Sequence, residues 1–316
     1  MRVSVFTEPH RGASYDDQLR FARRVEETGF EGFLRADHYR SMGDDPGLPG
    51  PTDAWLTLAA LARETSRIRL GTLVTSATFR LPGPLAVQVA QVDQMSGGRI
   101  ELGIGAGWYE REHTAYGIPF PAIGERFDRL AEQLEIITGL WGTPAGETYS
   151  FKGEHYQLVD APALPKPVQR PGPPVIIGGR GPKRTPELAA RYADEFNVPF
   201  KGVAETADAY QRVRAACDRV GRTGSGREPL VFSTGIVVAI GRTDAEAQRR
   251  AAPLHVKSAL PPEDPVVGSP AQLVDRLGEF AAIGATRAHL RLIDFDDLDH
   301  LELIAAEVLP QLNGTR

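Results

Sequence analysis

The chain has one cysteine, Cys217, and only five lysines among its 36 basic residues. A single cysteine excludes an intramolecular disulfide framework and fits a reducing cytoplasm. Seven histidines without an H-E-x-x-H spacing, beside that one thiol, give no ligand set for zinc, and no metal is expected. No stretch approaches the ~20 apolar residues of a membrane helix. The N-terminus, MRVSVFTEPH, runs straight into a strand pattern, so neither a signal peptide nor membrane contact is expected. The net charge of −5 gives no basic surplus for nucleic acid or an anionic surface. G-x-S-x-G and G-x-x-x-x-G-K-[ST] are both missing, which removes the common serine-hydrolase and Walker readings. Scarce lysine beside abundant Ala, Gly and Pro points, through codon usage, to a GC-rich bacterial genome.

What is present is an alternation of short apolar runs and longer amphipathic ones. Strands are expected at 2–6, 32–36, 68–74, 99–105, 174–179, 194–198, 230–240 and 285–293. Helices are expected at 14–28, 53–64, 84–96, 125–140, 183–192, 203–220, 244–257, 270–283 and 297–312. Regular βα alternation demands a parallel sheet. Eight units in 316 residues favour a closed α/β (β/α)8 TIM barrel, read as a single domain over 1–316. Residues 143–174 carry seven prolines and cannot be a core helix. They read as an insertion after strand four, with a small hairpin turning at Lys152-Gly153. Trp55 and Trp141 fall on helical faces and read as core.

The stretch ELGIGAGWYEREH at 101–113 ends the fourth strand. Its glycines, Gly103, Gly105 and Gly107, are spaced G-x-G-x-G, and Trp108 holds the third fingerprint position, so a dinucleotide-binding turn is a poor reading. Two readings stay open: bare backbone that admits a flat ring or phosphate, or a bulge at a barrel strand's end. Catalytic groups of a barrel sit where strands enter βα loops. There the sequence places Glu8, the pair Asp37-His38, Ser76, and Gly178-Gly179-Arg180-Gly181. His38 suits proton transfer near neutrality, although a capping Asp beside a surface His would look the same. Residues 178–185 could cup a phosphate at a helix start or form a glycine-rich turn. Asp294, Asp296, Asp297 and Asp299 read as charges that start the last helix rather than a cation site. Tyr109, Glu112 and His113 stand where they could touch a ligand or simply begin a loop.

These residues carry a family likeness. Residues 67–121, RIRLGTLVTSATFRLPGPLAVQVAQVDQMSGGRIELGIGAGWYEREHTAYGIPFP, resemble the luciferase-like monooxygenase superfamily, in its coenzyme F420 (deazaflavin)-dependent oxidoreductase branch. So do 125–141 and 173–198. The resemblance implies a (β/α)8 barrel with a flavin-like ring at the C-terminal rim. It implies cofactor contacts from Asp37, His38, a cis Leu73-Val74 step, Ser76, Gly105, Ala106 and Gly107, with Trp108 and Tyr109 beside them. It places Gly178, Gly179, Arg180 and Gly181 at the phosphate, with Lys183 and Arg184 suited to an acidic tail. Two positions depart from the pattern. Many relatives have Asn at Tyr109, and many have Ser where this chain has Arg35-Ala36. The implied activity is hydride transfer between F420 and a small organic substrate. His38 would be the proton donor or acceptor, Asp37 its neighbour at the ring, and Glu8 a second acid/base by position alone. FMN-dependent oxygenation with reduced flavin and O2, and a non-catalytic cofactor-binding barrel, are the alternatives. A cytoplasmic homodimer is expected.

Overall fold

In the computed structural model, which describes residues 1–42, 46–222, 227–256 and 264–313, the expected alternation closes on itself. The first half comprises β1 (Arg2–Thr7), α1 (Tyr15–Glu27), β2 (Gly32–Arg35), α2 (Ala54–Glu64), β3 (Arg69–Thr72), β4 (Thr75–Ser76), α3 (Pro82–Ser96) and β5 (Ile100–Gly105). Then come α4 (Glu110–Tyr116), α5 (Ile123–Gly142) and the strands β6 (Tyr149–Lys152) and β7 (Gln157–Ala161). The second half comprises β8 (Val175–Gly178), α6 (Arg184–Tyr192), β9 (Glu195–Pro199), α7 (Val203–Arg219), β10 (Val231–Ile240) and α8 (Asp244–Val256). It ends with β11 (Val266–Gly268), α9 (Pro270–Ala282), β12 (Arg287–Arg291), α10 (Leu298–Glu307) and the short α11 (Leu309–Asn313). Eight parallel strands pair in the order β1-β2-β3-β5-β8-β9-β10-β12, and β12 pairs β1, completing the (β/α)8 barrel.

Local chemistry sets the helix starts. Ser14 and Asp17 form a capping box at α1, and Ser269 and Gln272 another at α9. Asp53 accepts from the Trp55 and Leu56 amides at α2. Pro82 begins α3, and Gly97, at φ 68°, ends it in the left-handed conformation. The apolar faces, such as Phe21, Ala22 and Val25 of α1 or Leu85 and Val89 of α3, pack on the outer face of the barrel. Trp55 and Trp141 are buried there as expected, donating to Thr75 Oγ1 at 3.2 Å and the Ala86 carbonyl at 3.1 Å.

Four details differ from the sequence reading. The third strand breaks into β3 and β4 around the Leu73-Val74 peptide, which is cis. Residues 110–116, which could have begun a loop, are the helix α4. The hairpin of the insertion turns over 153–156, because Lys152 already pairs with Gln157. The short β11 pairs with the C-terminal end of β10, over Val238–Ile240. Residue 257 of the seventh expected helix, and 43–45 of the loop after strand two, lie outside the described residues.

The interior of the barrel floor is ionic. Arg287, 1% exposed, donates to Glu101 Oε2 at 2.9 Å and Glu195 Oε2 at 2.8 Å, and pairs with Glu31 at 2.7 Å. His289 Nε2 lies 2.7 Å from Glu195 Oε1, and Ser233 Oγ donates to the same oxygen at 2.5 Å. Arg69 pairs with Glu101 from the neighbouring strand. Burial alone would raise both glutamates; Arg287, helped by Arg69 at Glu101 and by His289 at Glu195, instead holds them below the carboxylate range.

Candidate active site at the C-terminal rim

The strand ends β1, β2, β4, β5 and β8 bring their following residues to one rim. His38 is the centre of this group. Its Nδ1 is 2.9 Å from Glu112 Oε1, and the other oxygen of Glu112 accepts the Tyr39 amide at 3.1 Å. Glu112 is buried on α4, whereas the His38 side chain keeps 15% of its surface open. A carboxylate on Nδ1 fixes the neutral ring as the Nδ1–H tautomer, leaving Nε2 as the lone pair. The arrangement is a base with an orienting acid behind it. Trp108, half exposed, stands edge-on to His38 at 5.9 Å, and Tyr109 lies 5.3 Å from Trp108. The rings of His10 and His38 are 5.0 Å apart, also edge-on. His10 is buried with no partner on either ring nitrogen, and burial pushes its pKa well below the ordinary histidine range.

Sequence reasoning placed Glu112 only where it could touch a ligand and did not connect it to His38. Glu112 lies 74 positions from His38. The available signal was its place among the acids Glu110 and Glu112 after the glycine run, which suits a helix start.

Asp37 is placed differently from the expectation. Its carboxylate, 1% exposed, accepts from Thr75 Oγ1 at 2.9 Å and Arg80 at 2.5 Å. Arg80 continues to Asp53 at 2.6 Å and to the Tyr39 hydroxyl at 2.9 Å. Through these bonds Asp37 ties β2 to β4 and the loop that follows it. Arg35 is likewise structural. It is fully buried and donates to Gln18 at 3.0 Å and the Thr52 carbonyl at 2.8 Å, stapling the loop after β2 to α1. Burial, in part offset by Asp37 and Asp53, lowers it to about 10.

Glu8 is an ion-pair partner, not an acid. Arg11 and Arg291 each approach its Oε2 to 2.6 Å. Burial would raise its pKa, but Arg291, with His10 and Arg11, brings it down to about 2. A carboxyl that low holds no proton to give near neutrality. Its folded value is below its unfolded one, so its contribution is complete above about pH 4.5 and is lost as pH falls towards 2. The contribution is on the order of 3 kcal/mol. We expect urea unfolding of wild type to weaken by about that much more than Glu8→Gln over this window. Parallel pH profiles would show that Glu8 is not so held.

The glycines of β5 first serve packing. A Cβ on Gly103 would meet the Thr72 carbonyl oxygen at 2.0 Å. Cβ atoms on Gly105 and Gly178 would stand 3.1 Å and 3.4 Å from the methyls of Val74. Gly107, at φ 80°, would press on Ser76 Oγ. These bare positions make room for the Leu73-Val74 turn of strand three, which puts Val74 between the ends of β5 and β8. Ala106 is half-buried against the core beside them. At β8, the Gly179 amide donates to the Asn197 carbonyl at 3.1 Å, so it is not available to a phosphate. What remains is the start of α6, which has no side-chain cap, with Gly181, where a Cβ would crowd Thr185, and the exposed cations Arg180 and Lys183. Arg184 is engaged by Asp128 at 2.5 Å and the Gly124 carbonyl.

Among the aspartates of the last βα turn, Asp297 caps α10 and, with Asp299, binds Arg250. Among the described residues no cluster of His, Cys, Asp or Glu could hold a metal, and no helix is long and apolar enough to cross a membrane.

A model of the luciferase-like monooxygenase family matches residues 1–265. The chain belongs to this family. Within it, the chain is 33% identical over 283 residues to an F420-dependent glucose-6-phosphate dehydrogenase of Nakamurella multipartita, covering 89% of this chain and 79% of that one. It is 36% identical over 182 residues to a protein of the same name from Microbacterium testaceum, covering 57% of this chain and 52% of that one. It is 30% identical over 251 residues to the F420-dependent hydroxymycolic acid dehydrogenase of Mycobacterium tuberculosis, covering 78% and 64%. The chain thus spans about half the length of the Microbacterium testaceum protein it matches. The barrel of this luciferase-like protein superposes on monooxygenase RslO1 of Streptomyces bottropensis with a TM-score of 0.83 at 21% identity, over 99% and 100% of the two chains. An F420-dependent secondary alcohol dehydrogenase gives 0.81 at 20% identity over 98% of each.

The rim residues of this luciferase-like barrel fit a flat ring carrying a phosphate. Val74 offers an apolar contact flanked by Gly105 and Gly178, which have no side chains, and the uncapped start of α6 with Arg180 and Lys183 suits an anion.

Proposed function

We propose that the protein is an F420-dependent oxidoreductase that exchanges a hydride with a small alcohol or carbonyl substrate. The observation that carries this reading is the His38–Glu112 pair, a tautomer-fixed base at the rim. The F420-dependent relatives support it. Val74, Ser76, Gly105, Ala106, Gly107, Trp108 and Tyr109 would line the cofactor, and Arg180, Gly181 and Lys183 would hold its phosphate. The deazaflavin would supply the hydride chemistry. The chain's own part is the proton: His38 Nε2 takes it from a substrate hydroxyl in oxidation, or returns it to a carbonyl oxygen in reduction. Glu112 keeps Nδ1–H in place and faces the positive ring that forms. Trp108 stands edge-on beside the same ring.

The deciding experiment is a paired fluorescence titration of the purified apo-protein with F420 and with FMN. Tight binding of F420 alone is expected. Tight binding of FMN alone would overturn the reading in favour of a flavin monooxygenase, and binding of neither would overturn both cofactor readings.

We further propose that two copies pair through α2 and α3. Leu56, Leu81 and Val87 are exposed there, and the outer positions of α3 (Pro84, Val87, Gln88, Gln91 and Gln94) carry no charge. Light scattering is expected to give a dimer for wild type and a monomer for the double variant Leu56→Glu/Val87→Glu. A dimer in both would move the interface elsewhere.

A further inference from the structure

Three side chains beside the glycine run form a hydrogen-bonded row whose direction can be deduced. Ser76 Oγ lies 2.6 Å from Thr78 Oγ1, and Thr78 Oγ1 lies 2.6 Å from His113 Nε2. His113 Nδ1 lies 2.8 Å from the Tyr109 carbonyl oxygen. A carbonyl only accepts, so Nδ1 carries a proton. In the neutral ring Nε2 is then a lone pair and must receive the Thr78 hydroxyl proton. Thr78 has one proton, already used, so its oxygen can only accept from Ser76. The Ser76 proton is therefore committed inward. His113 is fully buried between the rings of Phe120 at 4.4 Å and Phe79 at 5.1 Å, which fixes its orientation.

We infer that the His113–Thr78 row orders the Ser76 hydroxyl as an obligate hydrogen-bond acceptor toward the site, so that it receives an N–H or O–H of the bound ligand and never a phosphate oxygen. Resting on the F420 reading, this assigns Ser76 to the imide N–H of the ring or a hydroxyl of the ribityl chain. The phosphate is left to the start of α6. His113 and Thr78 act through Ser76 and are positioning residues.

Two measurements test this. In the apo-protein with 15N-labelled histidine at pH 8, the His113 side chain should show a protonated Nδ1 and an unprotonated Nε2. A protonated Nε2 overturns the inference whatever the cofactor proves to be. In fluorescence titrations, Ser76→Ala should weaken F420 binding about fivefold. It should weaken the deazaflavin riboside, which lacks phosphate and tail, by the same factor. Thr78→Val should weaken both ligands similarly, Thr78→Ser should restore them, and Ser76→Ala/Thr78→Val should lose no more than Ser76→Ala alone. A loss confined to F420, or additive losses, would show that Ser76 donates to the phosphate or acts independently of the row. If wild type binds neither ligand, the F420 reading fails, and the histidine tautomer still decides the direction of the row.

Discussion

His38→Asn is expected to reduce kcat by about 10²- to 10⁴-fold, the range for loss of a positioned acid/base group. The choice of Asn matters. Its amide nitrogen stands where Nδ1 does, so it can still donate to Glu112, which is buried at 1% and otherwise has the Tyr39 amide. Nothing replaces Nε2. Folding and F420 affinity should therefore stay near wild type while turnover collapses. His38→Ala would blur this result, because it also leaves the buried Glu112 short of a donor. Glu112→Gln should lower kcat as well, since an amide cannot balance the charge on the ring as a carboxylate does. Steady-state rates with reduced and oxidised F420, read beside the melting temperature, check both variants. Full turnover in His38→Asn would remove His38 from proton transfer.

Arg287→Met should have the largest effect on stability, about 3–5 kcal/mol at pH 7, because it removes the one cation shared by two buried carboxylates and leaves Glu101 with Arg69 and Glu195 with His289 and Ser233. Glu101 and Glu195 lie 186 and 92 residues away in sequence and meet only through Arg287. The pH dependence should also change sign. In the wild type both glutamates are held below their unfolded values, so stability falls as acid protonates them. Without Arg287, burial becomes the dominant influence and their values rise above the unfolded ones. Stability of the variant should then increase as pH falls from 7 towards 5. Urea unfolding at the two pH values checks this. A loss under 1 kcal/mol, or an unchanged slope with pH, would mean that the cluster contributes little. Glu101→Gln/Glu195→Gln/Arg287→Met should regain much of the loss at pH 7, since no net buried charge remains.

The βα alternation was legible in the sequence because it is a local property. Period-2 and period-3.6 patterns, capping residues such as Ser14 and Asp53, and prolines that forbid a helix over 143–174 all act within a few residues. The likeness of 101–113 and of Asp37-His38 to the family located the rim. What tertiary structure alone decided was the partner of each polar group. Glu8 was expected at the rim as an acid/base, and its carboxylate pairs with Arg291, 283 residues away. Asp37, beside His38 in sequence, bonds Thr75 and Arg80, while His38 takes Glu112. Adjacent residues at a strand end diverge, so the chemistry is assembled across strands. In β12 the alternation R-A-H-L-R announces two faces but not which faces the barrel interior. In a closed barrel wrapped by helices both faces are buried, and the helices take the apolar one. Arg287, His289 and Arg291 therefore turn inward, where side chains far away in sequence, such as Ser4, Glu8, Glu101 and Glu195, satisfy them.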